Sequence, residues 1–124
     1  MCGFTGVVSI EFSGILPQEM EEKVKASICS ISHRGPDDQK IVNTHRAILA
    51  HARLSIVGLG SSGVQPITDE NGNALVYNGE IYNYRELAHK YNLKAQCDTS
   101  SDTQVLFRLL ILNGKEILSE LKGM

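Results

Sequence analysis

A cysteine at position 2, in the opening stretch MCGFTG, stands where almost no chain precedes it. A thiol attacks as its thiolate and needs a base to take its proton. With Met1 removed, Cys2 brings that base with it, because an N-terminal α-amine has an ordinary pKa of about 7.7 to 8.0 and is partly neutral near neutral pH. Cysteine is small enough to follow a removable methionine. The plainer reading is a small apolar residue that opens an edge strand, and position alone does not separate the two.

Three other places carry groups with chemical use. Arg53, in HARLSIV, is a guanidinium in an otherwise apolar run, and burying it is costly unless it is paired. Its partner is either an acidic residue of the same sheet or the carboxylate of a bound substrate, which the same fork would hold in a bidentate clamp. In YNGEIYNY, residues 77–84, Asn78 offers an amide donor and Gly79 permits close backbone approach. Together they fit either an oxyanion hole or a strand-ending turn. Asp102 precedes an apolar helical run, where a carboxylate is stabilised by the unpaired N–H groups of a helix start.

The elements that must hold these residues are legible from periodicity. GFTGVVSIEF, residues 3–12, reads as a strand. Leu16, Met20, Val24, Ile28 and Ile31 recur at helical spacing from Pro17 to about Ser32, with Cys29 expected as core filler beside them. HRGPDDQ, residues 33–39, reads as a loop. KIVNT and AILAHARLSIV follow as a hairpin turning near His45, and GLGSSG, residues 58–63, as a flexible connection. The Asn-Gly in DENGN, between PIT and ALVYN, predicts a second hairpin.

Residues 83–92 read as a helix opened by Asn83. Ser101 with Gln104 forms a capping-box pattern for a third helix, TQVLFRLLILN, which is apolar nearly all round and is expected to be buried between other elements until Asn113-Gly114 stops it. The amphipathic stretch KEILSELKG follows. This order predicts an α+β fold with antiparallel sheets rather than alternating βαβ units.

Twelve basic and 14 acidic residues give a net charge of -2 without a basic stripe, so nucleic-acid binding by bulk charge is not expected. No apolar run approaches the roughly 18 residues of a membrane span, and no signal-peptide pattern opens the chain. A cytoplasmic protein is the expectation. Cys2, Cys29 and Cys97 lack the spacing of a disulfide framework or zinc site, and His33, His45, His51 and His89 lack metal-ligand spacing on a helical face. Reduced thiols and no metal are expected.

Taken together, MCGFTG, HRGPD, HARLSIV, QPI, YNGEIYNY and SSDTQV, in that order over nearly the whole chain, resemble the glutaminase domain of class II glutamine amidotransferases. RGPD followed by RLSIV points to the asparagine synthetase branch of that class. The resemblance implies an N-terminal-nucleophile αββα sandwich, here incomplete at its C-terminus. It makes Cys2 the nucleophile on the side-chain amide of L-glutamine, with Asn78 and the Gly79 N–H holding the oxyanion. Arg53 would take the substrate α-carboxylate, Glu80 and Asp102 the α-ammonium, and backbone groups of Leu54, Ser55, Ile56 and Val57 would complete the pocket. Arg34, Pro36 and Asp37 would order the site, with His33 and His51 structural. Gln104 stands where the family usually has an acidic residue.

The resemblance also implies that residues 1–124 are the N-terminal part of the glutaminase domain. The rest of it, and a synthetase domain holding ATP and magnesium and receiving the ammonia, would lie outside. That synthetase domain is the expected partner, with a second copy of the chain as another. An inactive fragment, a different ammonia acceptor and hydrolysis of another amide are the readings to be separated from this one.

Overall fold

The computed structural model describes residues 2–11, 14–54 and 63–124. The chain divides into two compact units, Met1–Ser55 with Val64–Asn78, and Ile56–Gly63 with Gly79–Met124. The architecture is α+β with antiparallel sheets.

The first unit is built on a three-stranded sheet in the order β1-β3-β2, from β1 (Gly3–Val8), β2 (Asp38–Asn43) and β3 (Ala47–Arg53). Both neighbours run antiparallel to β3, which is therefore hydrogen-bonded along both edges. Alternation along β3 sends Ile48, Ala50 and Ala52 to one face, where they join Val24 and Ile28 of helix α1 (Gln18–Ser30) and Leu16 in a single core. Each large aliphatic side chain fully buried there contributes about 1.5–3 kcal/mol. The two alanines keep the strand surface low, so that the helix can lie close to it. Asn43 fastens the segment ahead of the helix: its amide accepts from Leu16 N at 3.3 Å and donates to Leu16 O at 3.0 Å.

The predicted first strand is shorter than residues 3–12, ending at Val8, and the helix ends at Ser30. Cys29 is exposed, against the expectation of core filler. One residue is about 100° of helical rotation, which carries Cys29 off the stripe that buries Ile28. Met20, at 38% exposure, also lies outside the core. The predicted loop of residues 33–39 is narrower, because Ser32–Arg34 form a 3₁₀ turn and β2 starts at Asp38. Gly35 is buried against the backbone of Ala52 and Arg53, where any Cβ would collide with main-chain atoms. Asp37 N adds a 3.0 Å hydrogen bond to Arg53 O.

The β2–β3 hairpin turns at His45 as expected, while residues 55–57 of its predicted second strand and most of the connection at 58–63 lie outside the described residues. The second predicted hairpin is present as β4 (Ile67–Thr68) and β5 (Ala74–Leu75), paired Ile67 with Leu75. Asp69 shapes its turn by accepting from Asn71 N and Asn73 N, and Gly72 supplies a φ of 81°.

The second unit packs α2 (Tyr84–Lys90), a 3₁₀ turn at Leu93–Ala95, α3 (Asp102–Asn113) and a 3₁₀ stretch at Gly114–Glu120. Leu87, Leu93, Val105, Leu106, Leu109 and Ile117 form its interior. Ser101 caps α3 by accepting from Gln104 N. That helix is not buried all round: Thr103, Val105, Leu106, Phe107 and Leu109 are covered, while Ile111 and Leu112 near its end are 37% and 48% exposed. Asn83 precedes α2 without capping it; its side chain instead donates to Glu120 O and accepts from Lys122 N.

Gly35→Ala is expected to destabilise the protein by about 1–3 kcal/mol, the usual cost of overpacking, and to do so by moving the backbone on which Arg53 sits. A urea midpoint equal to that of the unsubstituted protein would show that the loop yields without cost.

Candidate active site

Cys2 lies beside the end of β3. Its Sγ is met by Leu54 N–H at 3.3 Å and stands 3.5 Å from Leu54 O. The Arg34 guanidinium donates from Nε to Cys2 O at 3.2 Å, so the 3₁₀ turn after α1 holds the main chain of the nucleophile candidate. This contact gives a physical form to the ordering role expected of Arg34.

Arg53 is 8% exposed, at the last position of β3. In the register Asp38 stands opposite it, which places an acidic neighbour on the same face of the sheet. The same strand face carries His51, two residues earlier and 1% exposed. Neither His51 ring nitrogen makes a well-formed hydrogen bond among the described residues. Burial lowers the pKa of the ring below the ordinary value, with the Tyr77 backbone pulling it up, Arg53 adding to the lowering and Asp38 opposing it.

Asn78 is exposed at the end of the first unit's chain segment. In the second unit, Gly79 is half-buried and Glu80 is exposed. The Glu80 backbone is fixed from an unexpected quarter: its N–H donates to Met124 O at 2.9 Å and its carbonyl accepts from Met124 N at 3.0 Å. Tyr82 N adds a 2.7 Å bond to Lys122 O, so residues 122–124 run as an antiparallel partner to residues 80–82. Gly123 is what permits this, because a Cβ there would overlap Glu80 O.

Asp102, the first residue of α3, accepts from Thr103 N through Oδ1 at 2.7 Å and from Ile81 N through Oδ2 at 3.2 Å. It takes up a first-turn N–H of the helix that Ser101 caps and also ties down the segment that carries Glu80. Leu54 and Cys2 are thus brought together within one unit, and Asp102 and the Glu80 segment within the other. Ser55, Ile56 and Val57 lie outside the described residues.

The whole of residues 1–124 matches the family described as "Glutamine amidotransferase domain". The chain belongs to this family. The amidotransferase domain is 38% identical over its full length to asparagine synthetase B [glutamine-hydrolyzing] of Escherichia coli strain K12, covering 22% of that protein. It is 35% identical to putative asparagine synthetase [glutamine-hydrolyzing] 2 of Methanocaldococcus jannaschii, matching all of this chain and 26% of the relative. It is also 35% identical to asparagine synthetase [glutamine-hydrolyzing] 1 of Bacillus subtilis, over all of this chain and 20% of the relative. The chain therefore spans about a fifth to a quarter of the length of these curated relatives.

Sequence reasoning did not find the pairing of residues 122–124 with Glu80 and Tyr82. The signal available was Gly123 alone, and a glycine near a polar stretch has too many other uses to single out. Cys97 is a half-buried free thiol whose pKa is raised, chiefly by burial, which makes it a poor nucleophile.

His51 gives the amidotransferase domain an acid-sensitive interior. The folded state favours the neutral ring, so the unfolded chain takes up the proton first, and stability is expected to fall as pH drops below about 6.5, the ordinary histidine value. In His51→Gln the pH–stability curve should be flatter below about pH 6.5. An unchanged slope in chemical denaturation at several pH values would place the acid sensitivity elsewhere.

Proposed function

We propose that this chain is the nucleophile-bearing part of a glutaminase that hydrolyses glutamine to glutamate and ammonia through a cysteinyl thioester. In the complete protein the ammonia would serve asparagine synthesis from aspartate and ATP. The observation that carries the reading is the Cys2 thiol set at the Leu54 N–H, one residue beyond the buried Arg53 on the same strand end. A nucleophile and a carboxylate-binding cation are thereby presented on adjoining backbone.

With Met1 removed, the α-amine of Cys2 takes the thiol proton. Sγ attacks the side-chain carbonyl carbon of glutamine, and the oxygen takes up negative charge facing Asn78 Nδ2 and the Gly79 N–H. Each such preorganised donor supplies roughly 2.7–4 kcal/mol to the transition state. Collapse breaks the C–N bond, and the proton held on the α-ammonium passes to the departing nitrogen, which leaves as ammonia. Water then adds to the thioester, releasing glutamate and restoring the thiol. Arg53 takes the substrate α-carboxylate, and the carboxylates of Glu80 and Asp102 suit its α-ammonium.

The antiparallel sheet covered by α1 on one face is in keeping with one half of an αββα sandwich, the remainder coming from a longer chain. A synthetase domain in that longer chain is the expected partner and would hold ATP and magnesium. Among the described residues no group of His, Cys, Asp and Glu could hold a metal ion. No helix among them is long and apolar enough to cross a membrane, and the cytoplasm is the proposed location.

Cys2→Ala should abolish ammonia release from glutamine, and protein whose sequenced N-terminus retains Met1 should be equally inactive. Ammonia release by Cys2→Ala would remove Cys2 as nucleophile, and release by the Met1-retaining protein would remove its α-amine as the base. Arg53→Lys keeps the charge but loses the fork, and is expected to raise KM for glutamine about tenfold or more with a smaller change in kcat. Steady-state kinetics with glutamine and with a glutamine analogue lacking the α-carboxylate would check this, the two substrates becoming more alike in the variant.

A further inference from the structure

The hairpin β4–β5 leads directly to Asn78, and its last hold on the chain is made by a side chain. Extending the pairing of Ile67 with Leu75 by two residues sets Gln65 opposite Tyr77. Gln65 is 7% exposed, and its side-chain Oε1 accepts from Tyr77 N at 2.6 Å. Where a longer hairpin would use a strand carbonyl, this one uses a buried amide. The His51 ring lies against the same Tyr77 backbone, which places the central strand beneath the residue that precedes Asn78.

We infer that Gln65 is a positioning residue for the Asn78 side chain, acting through the Tyr77 backbone. The inference rests on Asn78 being an oxyanion donor, as proposed above. The Tyr77 N–H belongs to the Val76–Tyr77 peptide unit, so fixing it leaves only φ and ψ of Tyr77 between the anchor and the Asn78 peptide, which limits the directions in which Asn78 can project. Asn78 itself is exposed and gains its orientation from this anchor. A donor placed for the transition state works only if it is held before the charge develops, so loosening the anchor costs turnover more than it costs ground-state binding.

Gln65→Leu removes the acceptor, and Gln65→Glu keeps an oxygen at the same reach. In protein with processed Cys2, Gln65→Leu is expected to speed exchange of the Tyr77 amide about tenfold and to lower kcat for glutamine about tenfold to a hundredfold, with KM within about twofold. Gln65→Glu should keep both Tyr77 protection and kcat within about threefold of the unsubstituted protein. Gln65→Met, similar in volume and also without an acceptor, replaces Gln65→Leu if the latter does not fold. Unaltered Tyr77 exchange in the acceptor-less variant overturns the inference, as does lost protection with unchanged kcat or a loss explained by KM alone. An unsubstituted, processed protein without glutaminase activity would count against the proposed function, while the exchange measurement would still decide the anchor.

Discussion

The close approach of Gly35 to the backbone of Ala52 and Arg53 is the constraint on which the first unit depends. It presses the turn after α1 onto the end of β3, and two consequences follow from one contact. Arg34, the residue before the glycine, comes within reach of the Cys2 carbonyl. Asp37, two residues after it, bonds to the Arg53 carbonyl. A bulkier residue at position 35 would separate these pairs together, so the thiol and the guanidinium are placed by the same backbone contact.

Strand β3 can bear this load because it is saturated. Its hydrogen bonds are taken by β1 and β2, one face is closed by α1, and the buried side chains there are small enough for tight packing. The opposite face carries the charged and titratable groups, His51 and Arg53 on β3 with Asp38 across from Arg53. Apolar cohesion and polar function are thus divided between two faces of one strand by the period-2 alternation of its side chains. The cost is a buried imidazole with poorly met hydrogen-bonding capacity.

Much of this was legible from residue order. The alternation of AILAHAR, the helical spacing of Val24 and Ile28, and the Asn-Gly turn each have a local cause, and local causes survive into the structure. The Ser101 cap was legible for the same reason, and Cys2, Arg53 and Asp102 stood out as candidates against their own surroundings. What was not legible depends on pairs distant in sequence. Cys29 looked like core because helical spacing alone tolerates an error of one residue, whereas only the packed sheet shows which stripe is covered. Asn83 looked like a helix cap, yet its side chain is committed to Glu120 and Lys122. Gln65 stood in the QPI motif, yet nothing in the residue order pointed its side chain at the Tyr77 N–H.

The two-way hydrogen bonding between Glu80 and Met124 also sets an order on biosynthesis. A chain emerging from the ribosome makes the Asn-Gly-Glu segment long before it makes the strand that flanks it. The β1–β3–β2 sheet and its helix can close as soon as Arg53 has emerged, but residues 80–82 acquire their antiparallel neighbour only when Lys122, Gly123 and Met124 have been added. The surroundings of Cys2 can therefore assemble before the Glu80 segment gains its antiparallel neighbour.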